Sequence, residues 1–197
     1  MEALTGHRGA ELASGPSAVF LDRDGTLNVK APEGSYITSP AQLRLLPGAG
    51  RAVRRLNQTG TPVFVVTNQR GVARGRMTLD DVATVNDVLQ RRLRRFGAHV
   101  DAFYVCPHEV GTCSCRKPSP GVVLQAERDH PGLRLDRAVM IGDSESDVGA
   151  GLAVGAYAIR LGPPGTPTRA AALFADLASA VEALVGPAGA PSQPTSA

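Results

Sequence analysis

The sequence contains no tryptophan, and only two of its 21 basic residues, Lys30 and Lys117, are lysines. It also lacks any stretch near the roughly 18 uninterrupted apolar residues of a membrane-spanning helix, and its first residues have no apolar signal-peptide core. These absences predict a cytoplasmic protein without membrane contact. Because aromatic residues make up only 4% of the chain, a stacking platform for single-stranded nucleic acid is also not expected.

The charge is close to balanced, with a formal net charge of +3 at pH 7. The densest basic run contains Arg91, Arg92, Arg94 and Arg95 and falls within a helical pattern. We interpret it as a solvated helix face, with a site for an anionic partner as the alternative. We therefore expect no nucleic-acid partner. The favoured oligomeric state is a monomer.

The length of 197 residues, with 43% hydrophobic and 20% charged residues, suits one domain with its own core. Residues 1–16 and 186–197 are rich in Gly, Pro, Ala and Ser, so we expect both to be mobile tails. The domain is expected to span residues 17–185.

Short apolar runs alternate with helical patterns along this domain. The predicted strands are 18–21, 62–66, 102–105, 138–141 and 157–161. The predicted helices are 49–58, 78–96, 120–128, 146–154 and 170–185. Apolar runs without alternation, separated by helices, indicate a parallel sheet covered on both faces. The predicted fold class is α/β, a Rossmann-like three-layer sandwich around a central parallel sheet.

Polar side chains follow the carboxyl ends of several predicted strands. Asp22 and Asp24 follow the first strand, Thr67 the second and Asp143 the fourth, while Lys117 lies in the segment after the third. Ligands of open parallel sheets bind at this edge. The sequence therefore predicts one site that contains carboxylates, a hydroxyl and an ammonium.

These residue types suit phosphoryl transfer. Asp22 can attack phosphorus and form an easily hydrolysed acyl-phosphate, and Asp24 can protonate the leaving alkoxide and then activate water. Oxygen ligands from Asp22, Asp143 and a backbone carbonyl suit Mg²⁺, and Thr67 and Lys117 can hold the phosphoryl oxygens.

The alternative for the segment that starts at Asp22 is a simple turn or a calcium loop. A calcium loop would continue with further oxygen ligands, whereas residues 26–29 read Thr-Leu-Asn-Val. This disfavours calcium.

The four segments that contain these residues resemble the four motifs of the haloacid dehalogenase superfamily of phosphohydrolases, over roughly residues 17–185. The resemblance implies that Asp22 is the nucleophile, Asp24 the acid and base, and Thr67 and Lys117 the phosphoryl stabilisers. It implies that Asp22, Asp143 and the carbonyl of Asp24 bind Mg²⁺, and that Asp147 orients the site.

Three cysteines and a histidine lie within ten positions, as Cys106-x-His108-x₄-Cys113-x-Cys115. Three thiolates and one imidazole form a complete tetrahedral set for structural Zn²⁺, and the loop leads directly into Arg116 and Lys117. The alternative is a set of reduced, buried cysteines. A disulfide framework is not expected for an odd, clustered set.

This loop resembles the subfamily that holds heptose bisphosphate phosphatases and bacterial histidinol-phosphate phosphatases. Residues 67–75 look like the heptose enzymes, whereas the short x₄ spacer looks like the histidinol-phosphate enzymes. Two residues depart from the heptose pattern. Arg70 replaces a small Ser, and Ser144 replaces a Lys. The candidate substrate-binding residues are Asn28, Tyr36, Asn68, Gln69, Arg70, Arg74, Arg116 and Ser144.

The favoured hypothesis is removal of the distal phosphate from a seven-carbon sugar bisphosphate, in nucleotide-heptose synthesis, with a minimal cap over the site. Arg116 is the candidate for the second phosphate, because a guanidinium grips phosphate bidentately. Histidinol-phosphate phosphatase is one alternative. A phospho-ligand-binding module without catalysis is another.

Overall fold

The computed structural model describes residues 15–186. Residues 1–14 and 187–197, which hold nearly all of both predicted tails, lie outside the described residues. Within the described range the chain forms six strands, five α-helices and two short 3₁₀ turns. The strands are β1 Val19–Leu21, β2 Val63–Asn68, β3 Ala102–Cys106, β4 Val139–Gly142, β5 Tyr157–Leu161 and β6 Ala172–Phe174. The helices are α1 Ala49–Gln58, α2 Leu79–Arg94, α3 Gly121–Asp129, α4 Glu145–Ala153 and α5 Leu177–Val185.

The six strands form one parallel sheet in the order β3-β2-β1-β4-β5-β6. Leu21 at the end of β1 pairs with Val65 of β2 and Ile141 of β4. Because this register brings the ends of the three central strands to one edge, the residues that follow them, including Asp22 and Asp143, meet there. The predicted parallel α/β architecture is confirmed.

Helices cover both faces of the sheet, because the unalternated strands direct apolar side chains to each side. On one face Val19, Leu21 and Ile141 pack against apolar residues of α1, α2 and α5. On the other face Phe20 and Met140 pack with α3, and Gly151 of α4 lies against Met140. The result is the predicted three-layer sandwich.

The prediction of a single helix over residues 170–185 is wrong in its first part. Ala172–Phe174 forms the edge strand β6, which pairs with β5, and α5 begins only at Leu177. Asp176 caps this helix by accepting a hydrogen bond from the backbone N–H of Ser179 at 2.8 Å. The apolar composition continues across both elements, so composition alone did not separate them.

The arginine run at the end of α2 is only partly a solvated face. Arg91, Arg94 and Arg95 are exposed, but Arg92 is half-buried and donates to the carbonyl oxygens of Leu43 and Pro40. Arg92 thus fastens the segment between β1 and α1 to α2. Arg95 also lines a surface cavity of about 690 Å³. The other lining residues come before β2 and β3 in the chain, so the cavity lies at the amino ends of the strands, opposite the predicted site.

The segment 22–48, between β1 and α1, contains the 3₁₀ turn Pro40–Gln42 and two isolated β-bridges but no α-helix or strand, which agrees with a minimal cap. Within residues 15–186, every helix is too short or too polar to cross a lipid bilayer.

Candidate active site

The ammonium of Lys117 lies between two buried carboxylates. Its Nζ is 2.6 Å from Asp22 Oδ1 and 2.7 Å from Asp147 Oδ1, and it donates to the carbonyl oxygen of Val66 at 2.6 Å. Burial raises the pKa of Asp22 to about 7, although the Lys117 ammonium acts in the opposite direction. Burial disfavours the charged form of Lys117, but Asp22 and Asp147 outweigh it and raise the pKa of Lys117. A permanent positive charge is therefore fixed beside the predicted nucleophile.

Asp24 accepts three hydrogen bonds. Its Oδ1 accepts from Asn28 Nδ2 at 2.8 Å, and its Oδ2 accepts from Arg23 Nη2 at 2.9 Å and Gln69 Nε2 at 2.8 Å. Arg23 is fully buried and also donates to Asn86 Oδ1 at 3.0 Å. Burial favours the neutral form of Asp24, but Arg23 and these donors together lower the pKa of Asp24. The carboxylate is held ionised and in one orientation.

Gln69 connects Asp24 with Thr67. Its Nε2 also donates to Thr67 Oγ1 at 2.8 Å, and both Thr67 and Gln69 are buried. The side chain predicted to bind substrate thus has its amide group engaged within the protein, where it orients two predicted catalytic residues.

Asn68, another predicted substrate-binding residue, is bonded to the main chain of Lys117. Asn68 Nδ2 donates to the Lys117 carbonyl oxygen and Asn68 Oδ1 accepts from the Lys117 N–H, both at 3.1 Å. This reciprocal pair fixes the loop that presents Lys117 against the end of β2.

Three carboxylates converge at the carboxyl ends of β1 and β4. One oxygen from each of Asp22, Asp143 and Asp147 lies within 4.8 Å of the others. Gly25, at φ +98°, lies so close that a Cβ there would fall 2.3 Å from Asp143 Oδ2. An all-oxygen donor set of this size fits Mg²⁺. The Asp24 side chain is outside this carboxylate group, which is compatible with a contribution through its carbonyl oxygen only.

Ser144, another predicted substrate-binding residue, is the N-cap residue of α4. Its Oγ donates to Asp147 Oδ2 at 2.6 Å, and its N–H donates to the same oxygen at 3.0 Å. The cation at this side of the site is Lys30, whose Nζ lies 2.9 Å from Asp143 Oδ2.

The predicted zinc ligands come together. Distances among Sγ of Cys106, Cys113 and Cys115 are 3.2–3.6 Å, and His108 Nδ1 lies 3.1 Å from Cys115 Sγ and 3.7 Å from Cys106 Sγ. The thiols are free rather than paired as disulfides. Four donor atoms at these separations fit a tetrahedral ion with bonds of about 2.0–2.3 Å.

Two of the predicted substrate-binding arginines are engaged by the loop that holds the cysteines. Arg74 Nε lies 2.9 Å from Glu109 Oε2, and Arg70 Nη1 lies 3.4 Å from Glu109 Oε1. Arg116 donates weakly to the His108 carbonyl at 3.4 Å. Tyr36 places its ring against Gly71, close enough that a Cβ at Gly71 would be 2.9 Å from the ring.

Arg23, Lys30 and Asn86 form hydrogen bonds at or next to the site but were not predicted from the sequence to belong to it. Asn86 carried a signal, because it is a lone polar residue on the buried stripe of α2 that includes Val82, Val85 and Leu89. Lys30 carried none, since its position near Asp143 depends on a long loop.

This fold and site define a hydrolase of the haloacid dehalogenase type, and residues 17–155 match the family model for haloacid dehalogenase-like hydrolases. The chain belongs to this family. It is similar to the D-glycero-alpha-D-manno-heptose-1,7-bisphosphate 7-phosphatase of Mycobacterium bovis, with 41% identity over 71% of this chain and 73% of that protein. It is equally similar to the corresponding beta enzyme of Rhodopseudomonas palustris, with 41% identity over 70% of this chain and 79% of that protein.

A solved structure gives the same relationship. The D,D-heptose 1,7-bisphosphate phosphatase of B. bronchiseptica, crystallised with magnesium and phosphate, aligns with a TM-score of 0.77 and 30% identity. The alignment covers 85% of this chain and 97% of that protein.

Proposed function

We propose that this enzyme is a Mg²⁺-dependent phosphomonoesterase that removes the 7-phosphate of a heptose 1,7-bisphosphate through an aspartyl-phosphate on Asp22, in nucleotide-heptose synthesis. The observation that carries the proposal is the convergence of Asp22, Asp24, Lys117 and Asp143 at one sheet edge. The relatives named as heptose bisphosphate phosphatases support the choice of substrate.

In the first half-reaction a carboxylate oxygen of Asp22 attacks phosphorus, and the bond between phosphorus and the sugar oxygen breaks. Asp24 gives its proton to the leaving alkoxide. The pKa of Asp24 is lowered in the free enzyme. We expect the negative charge of an approaching phosphate dianion to raise this pKa, so that Asp24 takes up a proton from solvent before the reaction. Thr67 and Lys117 would bind the oxygens of the transferring group.

In the second half-reaction Asp24, now ionised, takes a proton from water. The oxygen of that water attacks phosphorus, the bond to the Asp22 oxygen breaks, and inorganic phosphate leaves. The three donors on Asp24 suit this step, because they hold the carboxylate ready to accept.

The carboxylates of Asp22 and Asp143 and the carbonyl of Asp24 would hold the Mg²⁺ ion. The ion would screen the repulsion between these carboxylates and the phosphate dianion. We also propose structural Zn²⁺ on Cys106, His108, Cys113 and Cys115, since all four tetrahedral positions would be filled by protein.

Arg116 is proposed to bind the phosphate that is not transferred. It directly precedes Lys117, and its guanidinium has one long hydrogen bond, so it can turn to a ligand. Arg70 and Arg74, which both bind Glu109, lie in the loop after β2 and would add to the positive electrostatic potential at the site. The similar proteins include enzymes named for each anomer, so both anomers are candidate substrates.

The substrate is tested by comparing kcat/KM on both anomers of heptose 1,7-bisphosphate with kcat/KM on histidinol phosphate and simple monophosphates. We expect a preference of about tenfold or more for a heptose bisphosphate. A preference of this size for histidinol phosphate would instead favour the alternative suggested by the short cysteine spacer.

Catalysis itself is tested with a chromogenic phosphate ester. Turnover that disappears in Asp22→Asn is expected for the enzyme, whereas phosphate binding without turnover in the wild type would indicate a binding module. The cytoplasmic location and the monomeric state remain predictions, to be checked by fractionation and by sedimentation.

A further inference from the structure

Lys30 is not one of the predicted catalytic residues, but its side chain extends to the candidate metal site from the loop after β1. Its Nζ lies 2.9 Å from Asp143 Oδ2, and its side chain is 59% exposed. Two residues earlier, Asn28 is fully buried and donates to Asp24 Oδ1 and to the Val29 carbonyl. The base of the Lys30 segment is therefore fixed, while its ammonium remains in contact with solvent.

Other cations around the nucleophile have protein partners that they cannot easily leave. Lys117 is buried between Asp22 and Asp147. Arg23 is fully buried and bound to Asp24. Ser144, which follows Asp143, stands where the heptose pattern has a lysine, so it brings no charge. Its hydroxyl donates to Asp147 at the start of α4. Lys30 is thus an accessible positive charge on the β4 side of the site.

The partner of Lys30 is also a candidate ligand of the divalent ion. Asp143 belongs to the group of carboxylates that converge with Asp22 and Asp147. A dication bound there would compete for the Asp143 carboxylate and would repel the ammonium. A lysine ammonium on its flexible stem can then swing to another anion, and phosphate is a common partner for it.

We propose that Lys30 is a substrate-binding residue that Asp143 holds while the metal is absent, and that it contacts the non-transferred phosphate once the divalent ion binds Asp143. This inference rests on the proposed bisphosphatase function. Lys30 would approach the substrate from the β4 side, whereas Arg116 would approach it from the cysteine loop.

The first arm of the test uses no substrate. Mg²⁺ binding to metal-free protein is measured by calorimetry for the wild type, Lys30→Met and Arg94→Met. Arg94 is exposed on α2 and controls for the loss of one positive charge. Lys30→Met should bind Mg²⁺ roughly two- to fivefold more tightly, the range for loss of one partly exposed ion pair. Arg94→Met should match the wild type.

The second arm measures KM at saturating Mg²⁺ for heptose 1,7-bisphosphate and heptose 7-phosphate. In Lys30→Met we expect KM for the bisphosphate to rise about tenfold, with KM for the monophosphate and both kcat values near wild type. Lys30→Arg should recover most of the bisphosphate affinity, because it keeps the charge.

Each remaining outcome overturns the inference. Unchanged Mg²⁺ affinity would remove the competition for Asp143. Tighter Mg²⁺ binding with an unchanged bisphosphate KM would make Lys30 only a counter-ion, and equal increases in KM for both substrates would remove the selectivity. If the wild type itself shows no preference for heptose bisphosphate, the proposed function fails, while the calorimetric arm still tests the contact with Asp143.

Discussion

Asn68 and Lys117 form a reciprocal pair in which the side-chain amide of Asn68 binds both the N–H and the carbonyl oxygen of Lys117, each at 3.1 Å. The pair connects the end of β2 with the loop that follows the cysteine cluster. We therefore expect Asn68 to act on catalysis by placing Lys117, because its side-chain amide both donates to and accepts from that backbone.

Asn68→Ala is expected to lower kcat roughly 100-fold, because small displacements of a group that stabilises the transferring phosphoryl are costly. KM should change little. Steady-state kinetics with a chromogenic ester would measure both. The matched control is Asn57→Ala. It removes a similar hydrogen bond, from the backbone N–H of His99 to Asn57 Oδ1, at the amino ends of the strands and away from the site. A rise in KM at constant kcat would instead make Asn68 a direct substrate contact.

Asn68 was predicted to bind substrate, whereas in the structure its side chain binds the backbone of Lys117. The comparison shows how much of a site a sequence pattern can predict. The central strands β1, β2 and β4 were predictable because Val, Phe and Ile run without alternation, and their register then placed Asp22, Thr67 and Asp143 at one edge. Whether a polar side chain near that edge faces a ligand or another loop depends on contacts distant in sequence. Asn68 and Lys117, 49 positions apart, are such a case.

The same reason explains the edge strand β6 and the residues that support Asp24. Ala172–Phe174 is too short and too apolar to be told from the start of α5, although Asp176 marked the true helix start. Arg23 stands inside the first motif, but its buried contact with Asn86 needed the packing of α2 against the sheet.

Mg²⁺ should stabilise the protein more at about pH 8 than at about pH 6. Burial raises the pKa of Asp22 from 3.8 to about 7 in the metal-free protein. Between these values the folded state keeps a proton that the unfolded state has lost, so this group contributes less stability as pH rises. A divalent ion must displace that proton at lower pH but not above pH 7.

Thermal unfolding with and without Mg²⁺ across this range would measure the effect as the shift in Tm. Asp22→Asn cannot titrate, so its Mg²⁺-induced shift should vary far less with pH. A shift in the wild-type protein that is equal at both pH values would contradict the role given to Asp22.

Glu109→Gln should tighten the binding of anionic substrates, with KM roughly two- to fivefold lower. Glu109 binds Arg74 and Arg70, and hydrogen bonding from Arg74 lowers its pKa to about 2, so its negative charge persists at working pH. The substitution would free both guanidiniums and remove one negative charge near the site. The Tm should change little, because exposed ion pairs contribute little to stability.

Glu182→Gln is the control for this prediction, since Glu182 is exposed on α5 and its loss changes the net charge equally. KM would be measured at low and high ionic strength, and the difference should shrink with salt. A higher KM in Glu109→Gln would show that the two arginines need Glu109 to hold them in place.

Purified protein should contain about one zinc ion per chain, and Cys113→Ser should lose it. The cysteine loop leads into Lys117, so loss of the ion should also lower kcat while Mg²⁺ remains saturating. Elemental analysis and kinetics on the same preparations would measure the two effects. Ser114→Ala, an exposed change between two of the ligands, should keep both zinc and activity. Wild-type protein without zinc but with full activity would refute the assignment.

Gly25→Ala should weaken Mg²⁺ binding roughly tenfold or more, the effect seen when groups around a metal ligand are displaced. A Cβ at Gly25 would fall 2.3 Å from Asp143 Oδ2, so the carboxylate would have to turn away from the site. The backbone at Gly25 also has φ +98°, a region in which an L side chain is strained.

Gly34→Ala separates these two causes. Gly34 has φ +77° and nothing within 4 Å of its Cβ position, so this variant has the backbone strain without the contact. Both variants should lose about 1–3 kcal/mol of unfolding free energy, but only Gly25→Ala should lose Mg²⁺ affinity by calorimetry. Equal Mg²⁺ affinities in the two variants would show that Asp143 does not need the space at Gly25 to bind the ion.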